Sequence, residues 1–446
     1  MVSPRNVLFL IVLFSWFFAV FYAHSYYSLP ITSDAFERSR VAALISSNQP
    51  LSTPYSSPAS YDYPLLFDYL FATIAAVFQL DFLSCLVVLS ILFSTVFAGL
   101  VFSFAKHFSD EQAAVFSLFL ALLSPWLFYR LVTPISETLG LLLFFAAVFY
   151  FFKNRFSASF LFLFLLLFSH YRSFAVAAAV IVLYSLLNFK QLAKPLLATL
   201  SFPAIFYLFL VPKQSLENPW VVQAGVFDYF LPLLLGLWFF GLFVSLFKAG
   251  IPKKHFSFFT AVFFAPILLG LLAPFPFRQI IYVFPVVILF AAFFLSNFFS
   301  QTAPSLKSLF FAIALICALF SATSIIHSRP VPFSLEKAAA LSALSALPGQ
   351  NVLAPFVESY AIPLFSRKKV VAGAFLEGLP DGSGRAKDSY DFFNNASASV
   401  RYAILDKYSV DLVCLEPGKY PAADSWLLVQ SRLQKKFSSP RLECWG

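Results

Sequence analysis

The residues able to do chemistry gather in a few polar interruptions of an otherwise apolar chain. The first is Ile31-Thr-Ser-Asp-Ala-Phe-Glu-Arg-Ser-Arg40, which packs Asp34, Glu37, Arg38 and Arg40 into one run although only 11% of the chain is charged. Further along, Arg130, Glu137, His170, Arg172 and Arg278 stand singly beside aromatic residues or prolines, each at the edge of an apolar stretch. A polar group at membrane depth costs about 2.5 to 3.5 kcal/mol on insertion scales, so one that is retained calls for a role. Two carboxylates and several guanidinium groups at one leaflet suit a reaction on a phosphate-bearing lipid, because Arg holds phosphate oxygens bidentately.

Each of these residues also has a plain structural reading. Asp34-x-x-Glu37 fits a capping box in which Asp34 is the N-cap and Glu37 reaches back to it. Thr133-Pro134 with Glu137 in the following turn is an ordinary helix start, where a carboxylate favours the macrodipole. Arg172 and Arg278 at span ends can snorkel to lipid headgroups. His170 can be a hydrogen-bonded interfacial residue rather than a base. Asp62 and Asp68, which flank the second helix of the opening loop, rank behind the others.

The elements that must position these groups are membrane spans. The chain has 446 residues, 60% of them hydrophobic, a mean hydropathy of +0.82, and apolar runs that approach the roughly 20 residues needed to cross a bilayer. The first run, 7–24, reads as an uncleaved anchor, with a signal peptide as the alternative, for which Ala19 and Ala23 offer only a poor cleavage site; either places the next loop outside. The run is followed by an outer loop, 26–81, of two short helices joined by a Ser/Pro-rich linker, the second helix lying against the outer leaflet. Further spans are expected at 83–105, 113–128, 138–152, 157–168, 173–187, 195–211, 228–247, 256–273, 280–299 and 309–326, about eleven in all with the first. The formal charge of +9 comes largely from Lys and Arg in the short linkers at Lys106, Lys153, Arg155, Lys190, Lys194, Lys248, Lys253, Lys254 and Lys307. Those linkers fall on one side, which the positive-inside rule makes the cytoplasm. The charge is thereby explained without a nucleic-acid partner. The N-terminus is then cytoplasmic and the candidate site residues, with everything after His327, lie outside.

After residue 333 the composition turns to that of a soluble domain. Helices are expected at 334–346, 390–407 and 426–433, with strands at 351–355, 369–374 and 410–415, a small α/β domain. The division is therefore 1–327 and 328–446. Gly382-Ser-Gly384 lies in a polar loop with no phosphate-binding context. Asn395-Ala-Ser397 fits a glycosylation acceptor. Of the four Cys, Cys85 and Cys317 sit in apolar segments, whereas Cys414 and Cys444 can pair if the tail faces an oxidising compartment. No His/Cys cluster has metal-ligand spacing, and no cofactor or metal is indicated.

The order of these features resembles a known superfamily. A single first span, an acidic residue just after it, Tyr61-Asp-Tyr-Pro-Leu-Leu66, Leu123-Ser-Pro-Trp-Leu-Phe-Tyr-Arg130 leading to Ser136-Glu137, and Arg278-Gln-Ile-Ile-Tyr-Val-Phe-Pro285 entering a late span resemble the GT-C membrane glycosyltransferases. These include protein O-mannosyltransferases, aminoarabinose transferases and oligosaccharyltransferase catalytic subunits. The resemblance covers 6–299. It departs from the pattern in three places: Asp34 is followed by Ala35 and Phe36, so no Asp-x-Asp pair stands in the first loop, the interfacial segment keeps Pro64 alone, and the tail has no Trp-Trp-Asp signature.

The resemblance implies an inverting, hexosyltransferase-type enzyme of the cell envelope that moves a sugar from a polyprenyl-phosphate-linked donor to a lipid, glycan or protein acceptor. Asp34 would be the general base. Arg278, helped by Arg130 or Arg172, would stabilise the leaving lipid phosphate near Tyr282, and Glu137 would orient acceptor or sugar, with Glu37 and His170 also in the binding set. A polytopic transporter or lipid flippase is the alternative. Transporters, however, tend to break their helices at the bilayer midplane and to carry internal repeats, whereas here the polar residues gather at span ends and only 14 Gly occur.

Overall fold

The computed structural model describes residues 14–15, 17–23, 33–51, 64–108, 110–123, 131, 134–188, 195, 199, 257–262, 264–266, 292, 334–373, 381–394 and 396–446, apart from the side chains of Ser33, Asp34, Leu83, Phe119, Phe356 and Val357. Seven helices of its first part are α1 (Ser33–Ser46), α2 (Leu66–Phe78), α3 (Phe82–Phe108), α4 (Glu111–Leu123), α5 (Ser136–Phe152), α6 (Phe156–Ser169) and α7 (Tyr171–Leu187). They follow the expected segments closely because uninterrupted apolar runs leave little choice of where a helix lies. Their ends are set by polar side chains. Asp81 accepts from the Ser84 backbone at 3.0 Å at the start of α3, and Asp110 from the Ala113 backbone at 2.7 Å at the start of α4.

Within α3 the stretch Ser84–Phe108, 25 residues long, is among the described residues the one helix long and apolar enough to cross a membrane. At about 1.5 Å per residue it exceeds the roughly 30 Å hydrocarbon core. Shorter apolar helices are α2, α5, α6 and α7. The runs expected at 195–211, 228–247, 280–299 and 309–326 lie outside the described residues, apart from single positions in two of them.

Helices α5 and α6 form an antiparallel hairpin whose turn, Lys153-Asn154-Arg155, places Asn154 at φ 58°, a left-handed conformation that Asn tolerates. Buried hydroxyls join the pair, Ser159 donating to the Ala147 carbonyl at 2.8 Å, a contact suited to apolar helix packing. At the other end of the hairpin Ser169 donates to the Ser136 carbonyl at 3.4 Å. The Lys106 end of α3 and the Lys153 end of α5 coincide: Phe108 lies 4.6 Å and His107 5.7 Å, ring to ring, from Phe152. Two of the basic linkers assigned to one side therefore do share one end of the bundle.

The C-terminal part is a five-stranded sheet with helices on both faces. Its strands are β1 (Asn351–Leu353), β2 (Lys369–Val370), β3 (Leu412–Leu415), β4 (Lys435–Ser439) and β5 (Leu442–Trp445), ordered β2-β1-β3-β5-β4. The first three are parallel, with Val352 opposite both Val370 and Leu412, and β5 runs antiparallel to β3 and to β4. Short apolar strands are what a sheet covered on both sides requires. Val352, Val370, Leu412 and Cys444 face α8 (Leu335–Ala343) and α10 (Ile362–Ser366), while Leu353, Val413, Leu415 and Trp445 face α11 (Gly382–Asn394), α12 (Ala398–Lys407) and α13 (Pro421–Val429). A single-turn helix, α9 (Phe356–Ser359), precedes α10. Cys414 and Cys444, directly opposed on β3 and β5 with Cα atoms 4.2 Å apart, form a disulfide.

Three expectations for this part are corrected. The single helix at 390–407 is two helices, α11 and α12, with Ser397 at the N-cap of the second. Gly382-Ser-Gly384 is no loop but the first turn of α11, closed by Arg385 donating to the Asp381 carboxylate at 2.8 Å. The last helix starts earlier, because Pro421 is suited to a first helical turn, and it ends at Val429. The β4–β5 hairpin that follows was hidden by the charge of Lys435-Lys436, residues that suit an edge strand.

Candidate functional site

The opening loop folds so that its charges meet one another. On α1 the Arg40 guanidinium donates twice to Glu37, at 2.8 and 2.7 Å, a bidentate pair. Arg38 donates from Nη1 to Asp68 Oδ2 at 2.7 Å, and the two side chains are 1% and 0% exposed. This ion pair ties α1 to α2. Burial pushes the Asp68 carboxyl up to about 6, against the opposing attraction of Arg38. Glu37 thus faces Arg40 rather than reaching back as half of a capping box, and Asp34 falls within the first turn of α1. Helix α2 touches α1, α3, α5 and α6, and so carries the loop onto the bundle. Phe71 packs edge-on against Phe82, and Phe67 lies 6.3 Å from Phe93.

A second polar group stands where α5 and α7 begin. Glu137 is in the first turn of α5, as expected, and is half-buried. His170 is buried and caps α7: its Nδ1 accepts from the Ser173 backbone at 3.2 Å and lies 2.7 Å from the Ser173 hydroxyl. The imidazole is thereby held by hydrogen bonds at the junction of α6 and α7. Gly140 makes room for it, since a Cβ there would come within 2.8 Å of the His170 Cβ. Arg172 follows in the same turn, its guanidinium 5.8 Å from the Tyr171 ring.

The structure therefore places Glu37 and Asp68 in the α1–α2 group, and Glu137, His170 and Arg172 in the group at the heads of α5 and α7. Arg130, Arg278, Tyr282, Asp62 and the Asp34 side chain lie outside the described residues. The strongest contact that sequence reasoning missed is Arg38–Asp68. Its signal was two charges retained in apolar surroundings, but nothing local pairs residues thirty positions apart.

A third charged group lies in the C-terminal part, at the carboxyl ends of β1 and β3. The Lys337 ammonium donates to Glu358 and Glu416, both at 2.9 Å, and Lys419 donates to Glu358 at 3.1 Å. Burial alone would raise the Glu416 carboxyl, but the hydrogen bond from Lys337 and the charges of Lys337, Lys419 and Arg441 outweigh it and hold the group below its ordinary value.

No family profile and no curated protein matches the chain. Solved structures do. The oligosaccharyltransferase of Archaeoglobus fulgidus in its apo form superposes with a TM-score of 0.69 at 11% identity, over 95% of this chain and 71% of that one. The archaeal oligosaccharyltransferase AglB from Archaeoglobus fulgidus, in complex with an inhibitory peptide and a dolichol-phosphate, gives 0.62 at 11% identity, over 91% and 69%. ArnT from Cupriavidus metallidurans bound to undecaprenyl phosphate gives 0.56 at 13% identity, over 99% and 98%. The fold is that of the GT-C membrane glycosyltransferases, as the resemblance implied.

Proposed function

We propose that the chain is an integral-membrane inverting glycosyltransferase that moves a sugar from a polyprenyl-phosphate-linked donor to a lipid, glycan or protein acceptor on the extracytoplasmic face. The observation that carries this reading is the shared fold, end to end, with an enzyme holding undecaprenyl phosphate. In this reading Asp34 takes the proton of the acceptor hydroxyl as its oxygen attacks the anomeric carbon. The bond from that carbon to the phosphate oxygen breaks, and configuration inverts. A positioned base of this kind is worth about 10² to 10⁴ in rate.

The departing phosphate gains charge, which fixed cations stabilise best where water is scarce. Arg278 supplies that charge, with Arg130 or Arg172, beside Tyr282. Glu137 orients acceptor or sugar from the head of α5, and His170 holds the adjoining turn in place. Glu37 acts through Arg40. The Cys414–Cys444 disulfide supports an extracytoplasmic C-terminal part, since such bonds persist in oxidising compartments, and the N-terminus is then cytoplasmic. The test is a comparison of glycolipids and glycoproteins from cells with and without this chain. Loss of one saccharide from one acceptor class is expected, and identical profiles would overturn the reading.

A further inference from the structure

Two residues of α1 are buried in different parts of the molecule. Phe36 and Arg38 are two positions apart, which on an α-helix is about 200° of rotation, so they leave from nearly opposite faces. Phe36 is fully buried in the apolar cluster of the C-terminal sheet, with Leu341, Val352, Ile362 and Leu412. Its ring lies 5.9 Å from that of Phe365 on α10. Arg38 is fully buried against Asp68 of α2, which packs on the bundle. One helix of the opening loop is thus a member of the C-terminal core on one face and an ion-pair partner of the bundle on the other.

A 14-residue helix that carries Asp34, Glu37, Arg38 and Arg40 is marginal by itself in water, so its order must come from what it packs against. Asp34 stands one turn before Arg38 in this helix. We infer that α1 is a tie between the C-terminal domain and the helical bundle, and that Phe36 is a positioning residue through which the domain sets the place of Asp34. The role given to Asp34 rests on the function proposed above, whereas the tie does not.

The test uses the full chain in lipid nanodiscs, with two readouts: amide exchange across 33–46 and sugar-transfer kinetics. Phe36→Ala and, from the opposite side of the same contact, Phe365→Ala should each speed exchange of the protected α1 amides by about tenfold or more. Leu428→Ala, on an exposed residue of α13, should not. With α1 loosened, kcat should fall at least about tenfold while KM for the donor stays near its original value, and Phe36→Leu should restore most of the loss. Unchanged exchange in both alanine variants would overturn the tie, and raised exchange with full kcat would overturn the positioning role. If Phe36→Ala does not accumulate in membranes, Phe365→Ala carries the same comparison. Wild-type chain that transfers nothing, with exchange still raised in the variants, would uphold the tie and sink the glycosyltransferase reading instead.

Discussion

Arg38 and Asp68 meet at 2.7 Å across the α1–α2 junction with both side chains removed from solvent. Two charges taken from water repay their desolvation only when each has the other, so removing one partner costs much more than replacing both. Asp68→Asn should therefore lower stability by about 3 to 5 kcal/mol, whereas Arg38→Met combined with Asp68→Leu should regain most of it. Thermal unfolding of the purified protein in detergent checks both. An equal loss in the single and double variants would mean that the pair is not the link between the helices.

Gly140 is the point where α5 lets the His170 turn approach. A Cβ at this position would lie 2.6 Å from Ser173 Oγ and 2.8 Å from His170 Cβ. Gly140→Ala should destabilise the bundle by about 1 to 3 kcal/mol, the usual cost of overpacking. Adding Ser173→Ala removes one clash and leaves the other, so recovery should be partial. Unfolding midpoints of the two variants decide the matter.

The charge cluster at the sheet ends has a defined pH dependence. Glu416 is held below its ordinary value of 4.5 in the folded chain. A carboxylate with a depressed native pKa contributes stability that is fully present above the unfolded value and is lost as pH falls through the native one. Urea unfolding of the full chain should show stability dropping as pH falls below about 4.5, and Glu416→Gln should flatten that drop. A variant with the slope of the parent would remove Glu416 from the acid response.

Much of the helical part was legible in the sequence, and the reason is physical. Runs such as 138–152 and 157–168 contain nothing that could interrupt a helix, so their expected bounds fall within two residues of Ser136–Phe152 and Phe156–Ser169. Strands β1, β2 and β3 were legible for a similar reason, being apolar and short. What escaped depended on distance along the chain. Phe36 looked like one more aromatic residue in a chain with 62 Phe, yet it completes a core built from residues after 334. Asp68 ranked behind Asp34 and Glu37, and nothing near it in the sequence marks its partner Arg38, which lies on another helix. Local polarity misled at Gly382-Ser-Gly384, where a helix starts, and at Lys435-Lys436, where a strand does.

In the proposed reaction α1 carries the base, Asp34. The most direct test is transfer from a polyprenyl-phosphate-linked sugar by membranes bearing Asp34→Asn, a substitution close to isosteric that removes the proton acceptor. Transfer should fall by about 10² to 10⁴ while the unfolding midpoint stays that of the parent chain. Undiminished transfer by Asp34→Asn would contradict the claim.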